Sequence, residues 1–218
     1  MTKRDDQRAA TRQRLVDAAV ESLIEEGYAA STTLAVQRRA GVSRGALLHH
    51  FPTREELFGA AIGQLVERNE QAVRRELAQA PADPDPVARG LQVLRGAFAS
   101  PSFGAELELW AAARTSKELR AVLRRAEGAA RRDLYRVIGE VFGPEVTGSP
   151  AYPMVADLTV QLLRGMAISD VLYREAADQE PLLEQWATVT RMILAAHRDP
   201  AAQAFFAPDS TQEGCSDE

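Results

Sequence analysis

The sequence predicts an all-α protein, with a small N-terminal head of short helices and a larger helical body. Three observations carry that prediction. Nearly every apolar residue recurs at the helical period, no alternating run bounded by turn residues reads as a strand, and two very short amphipathic stretches are joined by Gly41-Val42-Ser43. The 218 residues are 45% hydrophobic and 26% charged, the balance of a globular chain rather than a disordered or fibrous one. No apolar run approaches the ~20 residues that cross a bilayer. The N-terminal MTKRDDQRAATRQR lacks the apolar core of a secretory signal, and the single Cys215 excludes an internal disulfide framework. A cytoplasmic protein is expected, with no membrane partner, no cofactor and no metal.

The elements follow in chain order. Residues 11–26 place Leu15, Ala19 and Leu23, flanked by Val16, Val20 and Ile24, on one broad stripe, with Thr11 read as N-cap and Gly27 as the stop. Ser31 or Thr32 opens a short helix that ends near Ala40, and Gly41 supplies the turn. Ser43 caps a second short helix, which finishes before Pro52 because the residue preceding a proline resists helical geometry. Thr53-Arg54-Glu55-Glu56 is a capping box that starts a long helix carrying Leu57, Phe58, Ala61, Ile62, Leu65, Val66, Val73 and Leu77. PADPDP at 81–86 reads as a linker, followed by helices at about 87–99, 105–127 and 128–142. After a break at 143–153 come two long amphipathic stretches. The first, 154–175, shows Val155, Leu158, Leu162, Met166 and Tyr173; the second, 181–197, shows Leu182, Trp186, Val189 and Ile193. The chain then turns acidic and polar. The expected organisation is a head at 1–54, a helical body at 55–204 and a disordered acidic tail at 205–218.

Charge separates head from body. The net charge is −5, yet residues 1–60 carry nine Lys/Arg against eight Asp/Glu, and residues 27–54 hold four arginines and no acid. A locally basic surface on an acidic protein is the footprint of a compact nucleic-acid-binding head. Two short helices joined by Gly41-Val42-Ser43 form the pattern of a helix-turn-helix, with the turn at Gly41 and Val42 plugging the angle. The second helix, 44–50, is roughly 10 Å long, enough to reach three or four bases. Arg44 at its first position suits bidentate bonding to guanine, and Gly45 lets the backbone approach. Ala46, Leu47 and Phe51 are placed to hold the helix to the body.

The stretch STTLAVQRRAGVSRGALLHHFPTREELFGAAI, preceded by a helix ending EEGYAA, resembles the DNA-binding domain of the TetR family of bacterial transcriptional repressors over about residues 11–62. A-G-V-S-x-G-x-L-x-x-H-F followed by a capped E-E-L helix is a composite signature. The resemblance implies a variable helical ligand-binding and dimerisation domain behind the head. It implies phosphate contacts from Thr32, Ser43, His50 and Arg54, and places Arg44, Gly45 and His49 at base edges. Two positions depart from the pattern. Leu48 stands where tyrosine is usual, a lost hydroxyl worth roughly 0.5–1.5 kcal/mol. Gln37 replaces the usual alanine and is within reach of a phosphate. The implied function is a homodimeric repressor on double-stranded operator DNA, released by a small-molecule effector of unknown identity. Residues 154–175 and 181–197 would form the dimer as a four-helix bundle. The alternative is a DNA-binding protein whose body docks a protein partner and has no small-molecule inducer.

Other readings compete locally. Gly41 to Gly45 also matches G-x-S-x-G, but a nucleophile elbow needs a strand before the serine, and Thr32–Ala40 reads as helix. No enzyme is expected. His49 and His50 diverge by about 100° on a helix and cannot share a metal from one side. Lys3, Arg4 and Arg8 alternate with Asp5 and Asp6 in a flexible arm, and the arginines of 120–136 read as a solvated face. In the body, Phe98, Phe103, Leu107, Trp110 and Met166 are simplest as core, and are also the candidate lining of an effector pocket. Arg164, inside an apolar run, pairs with either an anionic ligand or a neighbouring acid.

Overall fold

The structure, a computed structural model, describes residues 3–172 and 180–197, with the side chains of 127–131 left aside, and every regular element among them is a helix. Tyr173, the arginine side chain at 131, and the expected tail with Cys215 lie outside the described residues.

Helix α1 spans Lys3–Ala30, so the expected arm is helical. Asp5 and Asp6 in its first turn complement the helix dipole. Thr11 is therefore not a cap: it lies mid-helix, and its hydroxyl donates to the Gln7 carbonyl at 2.9 Å. Gly27, at φ 75°, interrupts α1 before the last turn. Thr32 caps α2 (Thr33–Ala40) by accepting from the Ala35 amide at 3.1 Å. Ser31 is buried and donates instead to the Gly27 carbonyl at 2.7 Å. Gly41 takes the left-handed conformation that ends α2. Ser43 caps α3 (Arg44–His50) through the Ala46 amide, and Thr53 caps α4 (Arg54–Gln79) through Glu56, each at 3.1 Å.

The 26 residues of α4 span roughly 39 Å. Its first half, with Leu57, Phe58, Ala61, Ile62 and Leu65, packs on Leu15, Ala19 and Leu23 of α1 and on Val36, Leu47 and Phe51 of the head. The same cluster is closed by Leu109 of a helix at Pro101–Ala113 (α6) and by Leu119 and Leu123 of one at Lys117–Phe142 (α7). The second half, with Ala72 and Val73, belongs to the core of the body. One helix thus runs through both cores.

The body begins with α5 (Pro86–Phe98), capped by Asp85. The helices expected at 105–127 and 128–142 are divided elsewhere, as α6 (Pro101–Ala113) and α7 (Lys117–Phe142). Ser116 caps α7 through the Leu119 amide, and Arg120 donates to the carbonyls of Ala113 and Arg114 at the end of α6. Those local bonds set the break, whereas a lone glycine such as Gly128 costs a helix only about 1 kcal/mol and is run through. Arg120, Arg124, Arg125, Arg132 and Arg136 are exposed, in line with a solvated face, and Arg136 also pairs with Glu70 and Glu140. Within the expected break lies a short α8 (Pro144–Thr147).

Helix α9 covers Tyr152–Ser169, shorter than the 154–175 stretch, and α10 covers Glu180–Ala196. The single apolar face expected on each is in fact two. Val155 and Met166 turn inward with Leu163, while Leu158 is exposed; Leu183, Ala187 and Leu194 are buried, while Leu182, Val189 and Met192 are exposed. Apolar residues on both sides of a helix cannot all face one core. Among the described residues no helix is long and apolar enough to cross a membrane.

Candidate nucleic-acid interface and effector cavity

Helices α2 and α3 meet at the left-handed Gly41, and Leu47 and Phe51 anchor α3 to the head core. This leaves Ser43, Arg44, Gly45, Leu48 and His49 on one exposed surface, with His50 partly covered at its end. Leu48, 46% exposed, adds an apolar side chain to that surface. Thr32 is exposed at the start of α2. The two serine and threonine caps have their oxygens committed to backbone amides, which leaves each hydroxyl hydrogen available to donate to a phosphate.

Two predicted contacts point elsewhere. Gln37 donates its side-chain amide to the Val42 carbonyl at 3.1 Å and so braces the turn. Arg54 folds back on the end of α1. Its guanidinium donates to the Tyr28 carbonyl and lies 4.0 Å from the Tyr28 ring centroid and 5.2 Å from that of Phe58. The acid-free segment is also less basic than it reads, because Arg39 is bonded to Glu25 at 2.6 Å and Glu26 at 3.0 Å, both on α1.

The N-terminal part of α1 supplies two basic groups beside α3: Arg8, expected in a flexible arm, and Arg12, expected in the first helix. Arg12 lies 5.1 Å from the centroid of the Phe51 ring, beside the end of α3. Burial holds the His50 imidazole below its usual range, with further lowering from His49, Arg8 and Arg12. The i, i+4 spacing of Arg8 and Arg12 was the available signal. The surface as folded combines a short recognition helix with a cationic margin from α1. Ser43 follows a helix and a turn rather than a strand, so Gly41–Gly45 lacks the geometry of a nucleophile elbow.

In the body a mostly apolar cavity of about 50 Å³ opens between α4, α5, α6, α7 and α9. Phe98 and Phe103 line it with ring centroids 4.3 Å apart, and Arg164 lines it with its guanidinium 4.2 Å from the Trp110 centroid. Of the other candidates, Trp110 backs Arg164, Leu107 packs against the body core, and Met166 is buried there. None of these three lines the cavity. Asn69 and Glu106 line it and were not foreseen. The Asn69 amide donates to Glu106 at 2.7 Å, and its Oδ1 is buried without a hydrogen-bond partner.

Comparisons with known proteins agree with this architecture. The family profile described as "Bacterial regulatory proteins, tetR family" matches residues 15–61. The chain is 32% identical over 127 residues to the HTH-type transcriptional repressor Rv1474c of Mycobacterium tuberculosis, covering 53% of this chain and 68% of that one. It is 29% identical over 161 residues to the HTH-type transcriptional regulator Rv2912c of the same species, covering 74% and 83%. The multidrug binding protein EbrR, solved in complex with ethidium, shares the fold with a TM-score of 0.61 at 22% identity, over 84% of this chain and 97% of that one. A capped helix-turn-helix on a helical body, in a chain with these relatives, places the protein in the TetR family of DNA-binding bacterial transcriptional regulators.

Proposed function

We propose that the protein is a cytoplasmic homodimeric repressor, released from a pseudo-palindromic operator when a small molecule enters the body cavity. One observation carries this reading: α4 begins directly after the recognition helix and contributes Val66, Asn69 and Val73 to the cavity wall. A change in cavity volume and a change in head position therefore involve the same helix. The cavity is well below the ~300–1,000 Å³ of drug-sized pockets, so an effector must push the surrounding helices apart to fit. That expansion gives the differential affinity on which induction depends, since the effector must bind the DNA-incompetent state more tightly. The aromatic pair and the unmatched Asn69 Oδ1 favour a small aromatic ligand that donates an N–H or O–H hydrogen bond. The binding of ethidium by a structural neighbour supports including planar aromatic cations among the probes.

Dimerisation is supported by the outward apolar residues of α9 and α10. Leu158, Ile168, Leu182, Val189 and Met192 are all at least 42% exposed, a costly surface for a monomer. Two recognition helices about 34–36 Å apart would then read one DNA turn. No reaction is assigned, and the hydroxyl of Ser43 is a helix cap.

The test is selection of duplexes from a random pool, followed by fluorescence anisotropy with aromatic amines, ethidium and proflavin as probes. Enrichment of a palindrome and probe-dependent release are expected. Selection of a palindrome with no release by any probe, together with a cavity that resists every probe in thermal shift, would instead favour a body that docks a protein partner.

A further inference from the structure

The junction between α1 and α2 is held from two sides at one residue. The backbone N–H of Tyr28 donates to the Glu108 carboxylate of α6 at 2.6 Å, and its carbonyl accepts from the Arg54 guanidinium of α4. The Arg54 side chain also lies over the Tyr28 ring, which meets the Phe58 ring edge-on at 5.3 Å. Tyr28 is the first residue after the left-handed Gly27, and α2 begins five residues later. Glu108 belongs to the body by chain order, yet it spans 80 residues of sequence to reach this junction.

Gly27 is shaped to this contact twice over. Its φ of 75° disfavours any side chain, and an added Cβ would stand 2.7 Å from Glu108 Oε2. The neighbouring Leu109 and Ala105 bury α6 in the head-side core and so fix the backbone that carries the exposed Glu108. Farther along the same helix, Phe103 and Glu106 reach the cavity. The bond is charge-assisted and short, the strong class of hydrogen bond.

We propose that Glu108 is a positioning residue for DNA reading, whose carboxylate locks the angle between head and body by holding the Tyr28 amide. A homodimer reads two half-sites only if both heads keep one orientation, because their separation must match the DNA turn. Without this bond Ala105 and Leu109 still pack α6 on the head core, but the looser α1–α2 junction widens the range of half-site spacings the head accepts. The proposal rests on the dimeric reading for its DNA consequence; the local tie stands apart from it.

The experiment uses the full-length protein and a duplex enriched by the wild type, with versions whose half-sites are one base pair closer or farther. Glu108→Ala is expected to speed exchange of the Tyr28 amide by about tenfold or more, the scale of one charge-assisted hydrogen bond. It is expected to weaken binding to the enriched duplex and to flatten the penalty for altered spacing, with the thermal midpoint nearly unchanged. Glu108→Gln keeps a neutral acceptor and should recover most of the spacing preference. Unchanged amide exchange with an unchanged spacing penalty overturns the proposal. So does a loss of midpoint and affinity together with the spacing preference retained, since that is what a merely structural residue would do. If the wild type enriches single half-sites, the dimeric reading fails, and the amide exchange of Glu108→Ala still decides whether the tie exists.

Discussion

Arg44 and Arg54 illustrate how two arginines of one basic segment separate once folded. Arg44 is exposed at the start of α3, whereas Arg54 is stacked on Tyr28 and bonded to its carbonyl. Arg44→Ala should relax base preference and cost ~1–3 kcal/mol of specific binding, measured by anisotropy against duplexes altered one position at a time. The sequence alone suggests that Arg54→Ala would weaken binding uniformly and flatten the salt slope. The folded arrangement predicts a lower unfolding midpoint with the salt slope intact, and a flattened slope would show that Arg54 swings out to DNA. His50 supplies a pH dependence. Burial favours its neutral form, so its contribution to stability is present above the usual histidine range and is lost as pH falls through the lowered value. A phosphate contact reverses the preference, so DNA binding should take up a proton and tighten as pH falls through the usual histidine range toward the lowered value of the free protein. His50→Gln should remove that part of the slope in titrations at each pH; an unaltered slope would assign it to His49 or elsewhere.

Among the elements, the caps of α2, α3 and α4 were legible, whereas Thr11 was misread as one and the packing was not legible. Thr32, Ser43 and Thr53 were readable because a cap is a bond between a side chain and an amide three residues on. The boundary between α6 and α7 was less so, because Arg120 reaches back six and seven residues to close α6, beyond the three-residue span of a cap. Two glycines of α4 test the packing directly. A Cβ at Gly59 would stand 1.9 Å from Val122 Cγ1 of α7, while one at Gly63 meets nothing within 4 Å. Gly59→Ala should destabilise by about 1–2 kcal/mol net, since overpacking outweighs the gain in helix propensity. Gly63→Ala should stabilise by roughly 0.5–1 kcal/mol. Denaturant midpoints of the two variants should therefore move in opposite directions, and a shared direction would contradict the close approach of α4 and α7.

At the scale of the whole molecule, the proposed dimer rests on what α9 and α10 leave uncovered. Leu158 and Val189 are 45% and 42% exposed and lie on the outward sides of these helices. Leu158→Glu combined with Val189→Glu should convert a dimer to a monomer in light scattering and abolish preference for a two-half-site operator over a single half-site. Retention of the dimer would move the interface elsewhere. On the proposed function, effector and DNA should each weaken binding of the other by the same factor, which equilibrium titrations in both orders will compare.

The sequence by itself determined the helical class, the caps of α2, α3 and α4, the turn at Gly41 and the short helix after it, because these depend on periodicity and on bonds between residues a few positions apart. It also carried the family resemblance, concentrated in 47 contiguous residues around that helix. Only the tertiary structure decided which arginines face outward, that Gln37 braces the turn, and that Glu108 meets Tyr28 across 80 residues. It alone decided that α4 passes from one core into the other and that Asn69 and Glu106 meet at the cavity. Those outcomes depend on where helices cross, which many weak apolar contacts set jointly, and no local pattern encodes the partner of a side chain at that distance.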